Sequence, residues 1–135
     1  MDLKEIKRLK DRIETREKLI EEIRESMYDI SAVQVTEKVQ TSKETGDNIG
    51  NDIARIERLE KQLKELKEEY NKRVNEVLDA TIDMEEEFAY IIVTRYIKAK
   101  EWEEIANEMH YSVGYVYKLH NKALDSLYKI VNNSY

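Results

Sequence analysis

The sequence has no cysteine, no proline and only three glycines among its 135 residues. Without cysteine it has neither disulfides nor thiolate metal ligands, and a reducing compartment is compatible with the chain. Long apolar runs are missing as well. The amino terminus, "MDLKEIKRLKDR", has no apolar stretch of the kind a signal peptide needs, and no later run approaches a membrane-spanning length, so the chain reads as cytoplasmic. Positive charge is in deficit, the net value being −6. Proteins that grip phosphate are usually basic, so any contact with a nucleic acid has to come from a local patch, a dimer or a larger complex.

What is present is helical material. Hydrophobic residues make up 41% and charged residues 39%, a balance that with so little glycine and proline belongs to long helices and coiled coils and not to sheets. The length suits one modest domain, or a small domain carried on a helical arm. Aromatic residues are nearly all tyrosine, and five of the nine tyrosines (Tyr111, Tyr115, Tyr117, Tyr128 and Tyr135) crowd into the last quarter.

Up to about residue 31 the apolar residues repeat every seven positions: Ile6, Ile13, Ile20 and Met27 form one row, Leu9, Ile23 and Ile30 another, with Arg16 interrupting the second. A similar repeat over 52–80 holds Ile56, Leu63, Tyr70 and Val77, then Leu59, Leu66 and Ala80, broken by Arg73. Both are coiled-coil seams. Each seam arginine is read as an aliphatic stem snorkelling to water, not a buried ion pair. Between the repeats, residues 31–51 are rich in Ser, Thr, Gly and Asn and read as a polar connector, in which Val33, Val35 and Val39 alternate weakly. Its "DNIGND" lacks the ligand spacing and closing glutamate of a calcium loop. The two helices either fold on each other or pair with a second chain; sequence leaves both open. Because a lone hairpin leaves an apolar face uncovered, a second chain or the C-terminal domain is expected to cover it.

From Thr81 the pattern changes to that of a globular helical core, with Ile82, Phe88, Ile91, Ile92 and Tyr96 on one broad apolar face. A short helix follows, "KEWEEIANEM", whose buried stripe is Trp102, Ile105, Ala106 and Met109. After "HYS" a third helix begins with Ser112 as its N-cap and buries Val116, Leu119, Ala123, Leu124, Leu127 and Ile130. Two helices joined by so short a turn meet the demands of a helix-turn-helix: Ala106 is small enough to let the second helix cross closely, and Ile105, Met109, Val116 and Leu119 lock the pair. The expected fold is all-α: a helical arm or coiled-coil hairpin over 1–80 for oligomerisation or partner binding, then a three-helix DNA-binding domain over 81–135.

"EIANEMHYSVGYVYKLHNKAL" resembles the DNA-binding region 4 of the sigma-70 family, with His110 where that family has a glycine at the turn. The chain as a whole resembles the phage ArpU/RinA-like late transcriptional regulators, through Arg95-Tyr96-Ile97, the residues 102–106 ("WEEIA") and 111–124, together with the polar connector and second long helix. That resemblance implies a regulator of late phage or prophage genes in a bacterial host, with the helix from 113 to about 130 reading duplex DNA. On it, Val113, Gly114, Tyr117, Lys118 and Asn121 point away from the buried stripe toward DNA. Lys118 is suited to guanine or phosphate and Asn121 to adenine, while Tyr115 or Tyr117 suits a phosphate or a thymine methyl. Ser112 adds an amide-rich helix start, and Lys122, Lys129, Arg95, Lys98 and Lys100 add positive charge. Expected partners are double-stranded DNA, a second copy or higher homo-oligomer, and RNA polymerase or a sigma factor. No cofactor is expected: His110 and His120 lack companions at metal-ligand spacing, and the glutamates of "EEEF" and "EWEE" read as solvated helix faces, not catalytic pairs. The competing readings are a DNA-packaging adaptor of small-terminase type and a helical scaffold that binds no DNA.

Overall fold

The structure, a computed structural model, describes residues 1–36 and 42–133, with side chains outside 29–48. It is all-α, with no strand among the described residues. In chain order the elements are α1 (Leu3–Thr36), α2 (Ser42–Thr81), α3 (Glu86–Ile92) running into a π-helical turn (Val93–Ile97), α4 (Trp102–Met109) and α5 (Val113–Asn133). Two compact units are distinguished: Asp11–Glu68, and Met1–Lys10 together with Glu69–Tyr135.

The first unit is an antiparallel helical hairpin within one chain. Arg24 pairs with Glu60 at 2.6 Å, Arg16 Nε donates to Gln62 Oε1 at 3.2 Å and Lys67 lies 3.5 Å from Glu17, so numbering rises on α1 as it falls on α2. These exposed pairs contribute little energy. The seam carries the association: Ile13, Ile20 and Ile56 are buried, while Ile23, Met27, Leu59, Leu63 and Leu66 are half-buried, as a two-helix seam leaves them. Arg16 is itself half-exposed, so it reaches water along its stem.

The polar connector is a correction. Its residues 31–36 belong to α1 and 42–51 to α2, so Val33 and Val35 are helical and "DNIGND" lies on a helix; Val39 falls outside the described residues. Extending a nucleated helix gains one hydrogen bond per residue fixed, which offsets weak propensity where no proline intervenes.

The second unit holds the larger core. Leu3 and Ile6 of α1 and Val77 and Ala80 of α2 pack with Met84, Ile92, Ala123 and Leu127, so the ends of the heptad rows enter a globular core shared with the C-terminal helices. Residues expected in the arm therefore belong to the same compact unit as the C-terminal helices. Arg73 pairs with Glu69 on its own helix at 3.0 Å, both side chains partly exposed. Ile82 is a second correction, being 79% exposed. α2 ends at Thr81, whose hydroxyl donates to the Leu78 carbonyl, and the Met84 amide reaches back to the Thr81 carbonyl. The resulting turn swings Ile82 outward and buries Met84 in its place.

Candidate nucleic-acid interface

The small domain is assembled on α3. Its last turn widens: the Lys98 amide bonds the Val93 carbonyl at 3.0 Å, a π-type spacing, and the buried Thr94 hydroxyl donates to the Tyr90 carbonyl at 2.6 Å. Ala99 then takes a left-handed conformation (φ 56°), closed by a bond from the Lys100 amide to the Thr94 carbonyl. The chain reverses there into α4.

α4 ends on a Schellman motif. His110 is left-handed (φ 60°, ψ 37°), its amide bonds the Asn107 carbonyl at 3.3 Å, and the Tyr111 amide bonds the Ala106 carbonyl at 3.0 Å. The position that the sequence gives to His110 is thus one where glycine has no steric cost, and histidine tolerates it better than branched residues. Ser112 caps α5: its Oγ accepts the Tyr115 amide at 3.2 Å.

Ile91 of α3, Ile105 and Ala106 of α4, and Val116 and Leu119 of α5 form one buried cluster, against which Trp102, Met109 and Tyr111 pack. All six positions expected to form the motif's core are in it or against it. Ala106 is 3% exposed and Val116 fully buried, so close passage of α5 over α4 depends on that small side chain. Of the helix lock, only Met109 is partly open to solvent.

Ser112 at the cap and Gly114, Tyr115, Tyr117, Lys118, Asn121 and Lys122 on α5 are all exposed. A Cβ added at Gly114 meets nothing within 4 Å. Val113 is the exception among the proposed DNA contacts: it is half-buried and packs against the α3–α5 cluster. Side chains on a helix lean toward its N-terminus, which carries this first-turn valine back under the turn instead of outward.

The supply of positive charge is smaller than the sequence offered. Arg95 lies over the Trp102 ring, its guanidinium carbon 4.5 Å from the centroid, and donates to the Lys100 carbonyl at 2.9 Å. Lys100 is paired with Glu108, which also accepts from the Tyr90 hydroxyl; both partners hold the Glu108 carboxyl below its usual pKa. Lys98, Lys118, Lys122 and Lys129 remain exposed, without an ion partner among the described residues. α5 carries three lysines against Asp125, whereas α4 carries Glu103, Glu104 and Glu108, so of these two helices only α5 has a surplus of positive charge.

Several contacts had no counterpart in the sequence pattern. Tyr96 and His120 share a 2.6 Å hydrogen bond, and the His120 ring stands edge-on to Trp102 at 4.7 Å. Burial, then the nearby Arg95 charge, lowers the His120 pKa, favouring the neutral ring. Tyr111 donates to Glu87 at 2.6 Å. Aromatic crowding near the C-terminus was the available signal, but it names no partners. Among the described residues there is no cluster of His, Asp and Glu fit to hold a metal ion, and no helix long and apolar enough to cross a membrane.

No protein-family model, curated protein or solved structure matches the chain.

Proposed function

We propose that this chain is a sequence-specific DNA-binding regulator of late phage or prophage genes, reading duplex DNA with α5. The observation that carries the reading is the arrangement of α4 and α5. The helices are joined by a Schellman turn and a serine cap, locked over Ala106, and α5 is left with a polar outer face of Gly114, Lys118, Asn121 and Lys122. A helix held this way is suited to enter the major groove by its first turns, with Asn121 on adenine and Lys118 on guanine or phosphate. The late-gene role rests on the resemblance carried by "WEEIA" and the tyrosine-rich recognition segment.

Charge sets the terms of binding. With Arg95 and Lys100 committed inside the domain, one copy offers few phosphate contacts, so affinity is weak per copy, and its salt dependence steepens only as further copies add phosphate contacts. Two copies on a repeated site double those contacts, and a homodimer or higher oligomer is part of the proposal. A basic patch on RNA polymerase or a sigma factor is the partner suited to the acidic α4 face. The test is retention of genome fragments by the purified chain together with its mass in solution. A site upstream of late genes supports regulation. A cluster at a packaging origin, with a closed ring in solution, assigns the chain to DNA packaging instead. A folded oligomer that retains no duplex at low salt makes it a scaffold.

A further inference from the structure

Two tyrosines on α5 differ from those that build the domain. The hydroxyls of Tyr90, Tyr96 and Tyr111 are bound to Glu108, His120 and Glu87. Those of Tyr115 and Tyr117 have no partner among the described residues, and both side chains are 45% exposed. Their rings are nonetheless fixed from outside the helix. Tyr117 stands edge-on to Trp102, with centroids 5.2 Å apart at 75°, and Trp102 is itself held under Arg95. Tyr115 stands edge-on to Tyr111, 4.7 Å apart at 73°, and Tyr111 is anchored on Glu87. Braced rings with unpartnered hydroxyls are hydrogen-bonding groups whose ordering cost is already met before a ligand arrives.

Their placement identifies the ligand atom. Positions two apart on a helix project roughly 200° from each other, so the tyrosines stand on opposite flanks of the strip that carries Gly114, Lys118 and Asn121. The strip is bare at Gly114, where a ligand can come against the helix backbone. When such a strip faces base edges in the major groove, its two flanks face the phosphodiester backbones that border the groove. Resting on the DNA-reading assignment of α5, we infer that Tyr115 and Tyr117 form a phosphate clamp, each hydroxyl donating to a backbone phosphate oxygen on its own side of the groove, with Trp102 and Tyr111 as the positioning residues behind them.

The test uses the full chain carrying Tyr115→Phe, Tyr117→Phe or both, substitutions that keep the braced rings and remove only the hydroxyls. Probes are a duplex selected from a randomised pool by the wild-type chain and the unselected pool itself. Each single variant is expected to bind both probes roughly ten- to a hundredfold more weakly, the effect of one lost hydrogen bond to a charged phosphate oxygen, with sequence preference and helicity unchanged. Full affinity in either Phe variant overturns the clamp, as does a loss confined to the selected duplex with altered preference at a thymine, which would place the ring on a base. If the wild-type chain retains neither probe, the DNA-reading assignment itself fails, an outcome separate from failure of the clamp.

Discussion

His120 on α5 and Tyr96 in the π-helical turn are joined by a 2.6 Å hydrogen bond between Nε2 and the phenol hydroxyl, their rings stacked at 29°. A neutral imidazole takes either side of this bond at Nε2 according to its tautomer, and burial, then the nearby Arg95 charge, lowers the ring's pKa and favours the neutral form. As pH falls through the ordinary histidine value, about 6.5, the unfolded chain takes up a proton that the folded one refuses. Stability contributed by His120 is therefore complete above that value and declines as pH falls toward the lowered folded pKa. Thermal unfolding followed from pH 7.5 down to about 5.5 should show a falling midpoint in the wild type and a flatter profile in His120→Gln.

The turn between α4 and α5 makes a prediction with two signs. His110 sits at φ 60°, where an L-residue is disfavoured by about 1–2 kcal/mol. His110→Gly should raise the free energy of unfolding by up to about 1 kcal/mol, and His110→Val should lower it by at least that much. Urea denaturation of the three proteins measures both.

Ala106 is the residue on which the crossing of the two helices depends. Ala106→Leu forces added volume against Val116 and Leu119 and should cost about 1–3 kcal/mol, whereas Glu103→Ala on the exposed side of the same helix should stay within about 0.5 kcal/mol. Equal effects from the two substitutions would mean that α5 does not pass close to α4.

Gly114 separates folding from binding. Alanine fits there without contact, and replacing a glycine in the first turn of a helix should stabilise the domain by about 0.4–1 kcal/mol. If the bare strip is where DNA meets α5, Gly114→Ala should nonetheless weaken duplex binding. A variant that is more stable and binds as the wild type would place the contact elsewhere.

Much of this architecture is readable from periodicity. Ile105, Ala106, Val116 and Leu119 announce their shared core by helical spacing, and Ser112 before an apolar run announces a cap. The failures have separate causes. Ile82 continues the apolar pattern into a turn that contains neither glycine nor proline, so nothing in the sequence marks the end of α2. Polarity in 31–36 and 42–51 imitates a loop, although composition alone does not stop a helix already running. Arg95 and Lys100 look available for phosphate because their partners, Trp102 and Glu108, are reached only after the left-handed turn at Ala99 folds the chain back. Val113 satisfies the spacing of an outward residue and is drawn inward by the direction of a first-turn side chain.

In the proposed function the outer face of α5 reads base sequence. Lys118 and Asn121 are exposed and lie outside both buried clusters, so replacing both with alanine should leave helicity and thermal midpoint nearly unchanged. Binding of the double variant to a duplex selected by the wild-type chain, measured against unselected duplex at the same salt, is the most direct measurement. The preference for the selected duplex is expected to disappear, with residual nonspecific binding. A folded double variant that keeps the wild-type preference would contradict that assignment of α5.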